Sequence, residues 1–214
     1  MLKTVGKSKA VIFLNGEPPL ERAVLQIDFS NSFVICADGA ADYASEFCRP
    51  DLVVGDFDSL RVFALSEDIA VERFPVKKNR TDAQIAVMRA VELGFKEIEI
   101  YGAFGLRPDH ELVNYALLPL AYSLGSRAVL KGGMFDVCFV APGSEFVGNV
   151  EKNKIVSLVP YTDRVHILYT KGLLYEANDV DVDKIDIFTS SNAACGGVVR
   201  YCLASGTALL FVEN

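Results

Sequence analysis

Glu97-Ile98-Glu99-Ile100-Tyr101-Gly102-Ala103-Phe104-Gly105-Leu106-Arg107-Pro108-Asp109-His110 is the stretch that decides the fold. Its first five residues read as a β-strand, its glycines permit close backbone approach, and Pro108 suits the first turn of a helix. Pro108 also holds Arg107 extended in the loop before that helix. Strand, glycine loop and helix in immediate succession form the repeating unit of an α/β domain.

The same alternation runs through the first ~140 residues, with strands predicted at 10–14, 33–37, 51–54, 71–74, 97–101, 127–131 and 135–140. Helices are predicted near 17–26, 40–47, 82–93 and 108–124. Thr81-Asp82-Ala83-Gln84 has the pattern of a capping box, and only Asp82, Arg89 and Glu92 form a polar stripe on the helix that follows. Val113, Leu117, Leu120 and Leu124 give the last helix a core-facing stripe, which Pro119 should kink or split. The expected architecture is a mostly parallel sheet covered by helices.

Past Ala141-Pro142-Gly143 the pattern changes to strands at 155–160, 164–169, 173–177, 186–189, 197–203 and 207–212. These predict a small antiparallel β domain, a sandwich or barrel, over residues 144–214. The α/β domain is expected to span residues 1–143.

Half of the 214 residues are hydrophobic and 23% are charged, as in ordinary globular proteins. A net charge of −7 argues against a nucleic-acid backbone as partner but leaves a nucleotide open. The five cysteines form neither a CxxC nor a zinc-like spacing, so reduced thiols and a cytoplasmic location are expected. No signal peptide or membrane-spanning segment is expected either.

Four stretches could carry chemistry. Gly55-Asp56-Phe57-Asp58-Ser59 follows a strand, where ligands of open α/β sheets collect, and both carboxylates could face one ion; the same residues also build ordinary turns. Asp38-Gly39 stands in a similar place after residues 33–37, and a helix cap explains it equally well. Lys77-Lys78-Asn79-Arg80-Thr81-Asp82 sets cations beside a helix N-terminus, an arrangement suited to phosphate oxygens, although capping alone accounts for Thr81 and Gln84. The loop from Gly102 to His110 can offer N–H groups and one guanidinium to phosphates, and it is neither a Walker A motif nor a GxGxxG fingerprint. Carboxylates beside a phosphate site make sense chiefly through a divalent cation such as Mg²⁺. Asp179-Val180-Asp181-Val182-Asp183 is not an EF-hand, because Lys184 replaces the loop glycine and Ser190 the final Glu; it reads as a strand with one solvated face.

Taken together, these motifs resemble thiamine pyrophosphokinases, with Gly172-Leu173-Leu174-Tyr175 and Ser191-Asn192 extending the likeness towards the C-terminus. The resemblance implies an α/β domain followed by a β domain, a homodimer with active sites shared between subunits, and transfer of the pyrophosphoryl group of ATP to thiamine. It implies Asp56, Asp58 and Asp82 as Mg²⁺ ligands. Arg107, Gly105, Asn79 and Thr81 would hold ATP phosphates, while Asp109, His110 and Asn114 would line the nucleotide site. Asp38 would be a further active-site acid, and Tyr175, Ser191 and Asn192 would meet thiamine. Leu106 and Ala40 stand where the family usually has glycine, and the chain has no tryptophan to stack on thiamine. Competing readings are a pterin-like acceptor, a phosphatase using Asp-x-Asp, and a non-catalytic thiamine or nucleotide sensor.

Overall fold

The computed structural model describes residues 4, 6–57, 69–77 and 79–214. The chain divides into two compact units, Met1–Gly133 and Met134–Asn214.

The first unit runs β1 (Lys9–Phe13), α1 (Glu21–Val24), β2 (Ser32–Ala37), α2 (Ala40–Ala44), β3 (Leu52–Gly55), β4 (Ala70–Arg73), α3 (Asp82–Glu92), β5 (Glu97–Tyr101), α4 (Pro108–Asn114), α5 (Leu117–Ser123) and β6 (Arg127–Lys131). Its strands lie in the order β6-β5-β1-β2-β3-β4, and every pairing is parallel. Such strands are apolar on both faces because helices cover both. On one face Val11, Phe13, Val34, Cys36 and Val53 pack with Ala40, Ala41 and Ala44 of α2. Alternate residues such as Ile12, Ile35 and Leu52 are fully buried on the other face, and α3 packs on β1, β2 and β3 through buried Ile85, Ala86, Val87 and Ala90. Arg89, in the polar stripe of α3, donates to both carboxylate oxygens of Glu72 on the edge strand β4, at 2.8 and 2.7 Å.

Chain order along this sheet reverses at β1, with β2, β3 and β4 to one side and β5 and β6 to the other. The crevice at such a reversal, beyond the carboxyl ends of the strands, is where open α/β sheets bind ligands.

Two local expectations for this unit are corrected and one is met. The first predicted helix shrinks to four residues. The last is split into α4 and α5 as expected, with the break just before Leu117, so that Pro119 sits in the first turn of α5, where its missing N–H is no loss. Val113 and Leu124 are exposed, and of the expected apolar stripe only Leu117 is fully buried.

The second unit contains β7 (Phe135–Val140), β8 (Phe146–Val150), β9 (Ile155–Pro160), β10 (Arg164–Lys171), β11 (Asn178–Asp183), β12 (Asn192–Ala193), β13 (Gly197–Ser205) and β14 (Ala208–Glu213). Two antiparallel sheets, β12-β9-β14-β7 and β11-β10-β13-β8, enclose a core including Leu158, Val165, Ile167, Val199, Tyr201 and Leu210. This is a β-sandwich. The division falls after Gly133 rather than near Gly143, because β7 pairs along its whole length with β14.

Residues 173–177 and 186–189 are not strands. Each is tied by a single bridge, Leu173 to Ala194 and Asp186 to Asp183. The acidic run expected as a strand is β11, pairing with β10 from Asn178 to Asp183. Among the described residues no helix is long and apolar enough to cross a membrane.

Candidate active site

A cleft of about 820 Å³ opens in the first unit at the sheet reversal. Asn15 and Gly16 after β1, Asp38 after β2, Asp56 after β3, Arg80, Thr81 and Asp82 at the start of α3, and the loop from β5 into α4 all line it. Asp58 lies outside the described residues, as do Ser59 and Lys78. Asn79 is not among the lining residues.

Close backbone contacts build the floor. Gly16 donates its N–H to the Gly102 carbonyl at 2.9 Å. A side chain on Gly102 (φ +68°) would stand 2.2 Å from the Leu14 carbonyl oxygen, so only glycine fits between β1 and β5 here.

Asp38 is buried and adopts a left-handed φ of +48°, a conformation that Asp tolerates better than most residues. Its carboxylate accepts the N–H of Phe57 at 3.1 Å. Phe57 is left-handed too (φ +63°), and the Arg73 guanidinium lies 5.2 Å from its ring centre. These contacts fix the loop that presents Asp56 to the cleft. Two non-glycine residues in strained conformations beside one cleft are the pattern of a functional site.

Thr81 caps α3 with the expected capping box: its hydroxyl accepts the Gln84 N–H at 3.2 Å, and the Gln84 side chain accepts the Thr81 N–H at 3.1 Å. Asp82 therefore begins the helix at the cleft wall, where the helix dipole favours an anion.

The β5–α4 loop is tied to one helical face. Asn114 donates to the Ala103 carbonyl at 2.8 Å, Glu111 accepts the Gly105 N–H at 3.0 Å, and the Phe104 and Tyr115 rings lie 5.9 Å apart. Arg107 projects from the loop and forks onto Asp109 at 3.2 and 2.6 Å. That guanidinium brings the Asp109 carboxyl down to about 2, and the carboxylate in turn raises Arg107. His110 lines the cleft and is exposed.

The carboxylates are hard oxygen donors suited to Mg²⁺. Among the described residues no three His, Cys, Asp or Glu side chains gather into a metal cage.

A smaller cavity of about 310 Å³ lies within the second unit, lined by Thr170, Tyr175, Glu176, Phe188, Asn192, Tyr201 and neighbours. Asn192 holds the main chain of Tyr175 in both directions: its amide donates to the Tyr175 carbonyl at 2.6 Å and its oxygen accepts the Tyr175 N–H at 3.1 Å. The Tyr175 ring is left exposed at the rim. Ser191 is not among the lining residues; it is left-handed (φ +56°), and its N–H goes to Ser157.

Residues 26–130 match the family model described as "Thiamin pyrophosphokinase, catalytic domain". This matched region contains most of the first cleft's lining residues. The thiamine pyrophosphokinase of Bacillus subtilis is 24% identical over 160 residues, 73% of this chain and 75% of that relative. The matched region is that of the thiamine pyrophosphokinase catalytic domain.

Solved thiamine pyrophosphokinases share the fold. The Bacillus subtilis structure superposes with a TM-score of 0.85 at 19% identity, covering 97% of this chain and 99% of that one. The yeast structure does so with a TM-score of 0.75 at 14% identity, covering 97% and 86%. Within this family frame, Asn15, Gly16 and Glu111 are cleft residues that the sequence reading passed over. An Asn-Gly turn directly after a predicted strand was the signal for the first two. Glu111 gave none beyond being a second acid in the first turn of its helix.

Proposed function

We propose that this protein transfers the pyrophosphoryl group of ATP to the hydroxyl of thiamine, giving thiamine diphosphate and AMP, with Mg²⁺ required. The observation that carries this reading is one cleft, at the sheet reversal, that combines Asp38, Asp56 and Asp82 with Arg107 and the Gly105 loop. The match of residues 26–130 to the thiamine pyrophosphokinase catalytic domain supplies the reaction class.

In the reaction the thiamine oxygen bonds to the β-phosphorus of ATP, the bond from that phosphorus to the bridging oxygen of AMP breaks, and the hydroxyl proton is released. Arg107, once its fork exchanges Asp109 for phosphate, clamps and orients the phosphate chain. Arg80 adds positive potential, and the Gly105 loop approaches the phosphates closely, with Asn79 and Thr81 beside them. Asp56 and Asp82, together with Asp58, would hold Mg²⁺, which when bound neutralises phosphate charge. The Asp38 carboxylate is the base that takes the hydroxyl proton or an outer contact to the ion. Asp109, His110 and Asn114 complete the nucleotide side.

Thiamine is assigned to the cavity of the second unit. The Tyr175 ring offers its cationic ring a π face, and Asn192 acts by holding Tyr175 in place. Ser191 belongs to the same proposed subsite. A homodimer sharing its active sites between subunits and a cytoplasmic location are parts of the same proposal; the five free thiols suit a reducing compartment.

Asp56→Asn and Asp82→Asn test the metal assignment. Each is expected to lower turnover by about 100-fold or more with an unchanged circular dichroism spectrum. Near-normal activity in both variants would contradict it.

A further inference from the structure

The turn that aims Arg107 is strained. Arg107 donates its N–H back to the Gly105 carbonyl at 2.8 Å around Leu106, whose φ is +62°. A hydrogen bond spanning three residues about a left-handed centre is the rarer and less stable γ-turn, here formed by a leucine that is mostly solvent-exposed. Something must hold it. Beyond its own backbone bond, the turn is restrained by a side chain, Glu111, one turn into α4.

We propose that Glu111 is a positioning residue for ATP. Its carboxylate braces the Gly105 N–H, so that the turn at Leu106 persists and Arg107 projects into the cleft. Three contacts support the assignment. The Glu111 carboxylate accepts the Gly105 N–H at 3.0 Å. Tyr115, one helical turn on, hydrogen-bonds to the same carboxylate; burial first, and then this carboxylate, raise the Tyr115 phenol. Tyr115 in turn packs its ring on Phe104, the residue before Gly105. The brace is thus a closed circuit from loop to helix and back, and Asn114 fastens the same helical face to Ala103. Glu111 has no need to touch ATP.

This rests on the reading that the cleft binds ATP phosphates. Its test uses Glu111→Ala and Glu111→Gln, because the glutamine oxygen can still accept the Gly105 N–H. In Glu111→Ala the Gly105 amide should lose hydrogen-exchange protection, and KM for ATP should rise about tenfold with KM for thiamine within twofold of wild type. Glu111→Gln should restore both the protection and KM. An unchanged or lowered KM for ATP in Glu111→Ala would overturn the assignment, a lowered value marking the carboxylate as a competitor of phosphate. Should the wild-type protein release no AMP, the functional reading fails on its own. Calorimetric titration with ATP and MgCl₂ then decides the proposal: weaker binding in Glu111→Ala, restored in Glu111→Gln, upholds it, and any other result overturns it.

Discussion

The Asp38 carboxylate accepts the backbone N–H of Phe57 at 3.1 Å, tying the loop after β2 to the loop after β3 while both residues stand in left-handed conformations. Gly55 makes this approach possible, since a side chain there would lie 3.0 Å from the Asp38 Cβ. Asp38 therefore has a structural task that can be separated from its charge. Asp38→Asn, which tolerates the same φ and keeps an acceptor oxygen, should retain the wild-type urea midpoint yet lose most turnover. Asp38→Ala should cost about 1–3 kcal/mol through the orphaned N–H and the left-handed alanine. Equal destabilisation by both substitutions would contradict this separation.

Leu106 gains nothing from burial and carries the cost of its left-handed φ. Leu106→Gly removes a penalty of about 1–2 kcal/mol and adds back roughly 0.5–1 in unfolded-state entropy. A net gain of about 0.5–1 kcal/mol in urea unfolding is expected, and a loss would mean that the leucine side chain contributes contacts.

Arg107, the proposed phosphate clamp, forms a two-bond fork with the Asp109 carboxylate. Arg107→Lys keeps the charge and loses the fork, and KM for ATP should rise roughly tenfold in initial-rate measurements. An unchanged KM would move the phosphate clamp to Arg80.

In the second unit the cations of β10 face the acids of β11. Arg164 contacts Asp183 at 2.8 Å, and His166 contacts Asp181 at 2.8 Å and Asp179 at 3.1 Å. The Asp181 hydrogen bond, followed by that of Asp179, raises the His166 imidazolium above its usual 6.5. A raised value means that the protonated pair stabilises the fold fully below 6.5 and that this contribution is lost as pH rises through the folded value. The difference in urea midpoint between wild type and His166→Gln should accordingly be largest in mild acid and shrink in alkali. A difference that grows with pH would reverse the assignment.

How much of this was legible in the sequence depends on range. Strands at 97–101, 127–131, 135–140 and 155–160 end where their apolar runs end, because local pattern and turn residues set them. The capping box at Thr81 is local in the same way. Segments 173–177 and 186–189 have strand-like composition, yet each finds only one bridging partner, a fact that lies elsewhere in the chain. The reversal of strand order at β1 is non-local too, so the convergence of Asn15 with Asp38 and Gly102 could not be read from spacing. Asn192 lines the second cavity, and its grip on the Tyr175 backbone appears only when the two loops are brought together.

The most direct test of the central claim is the product balance with ATP and MgCl₂, followed by chromatography with and without thiamine. The account predicts AMP and thiamine diphosphate in equal amounts, no AMP without thiamine, and none after chelation of Mg²⁺. Release of phosphate or ADP at the same rate whether or not thiamine is present would contradict it.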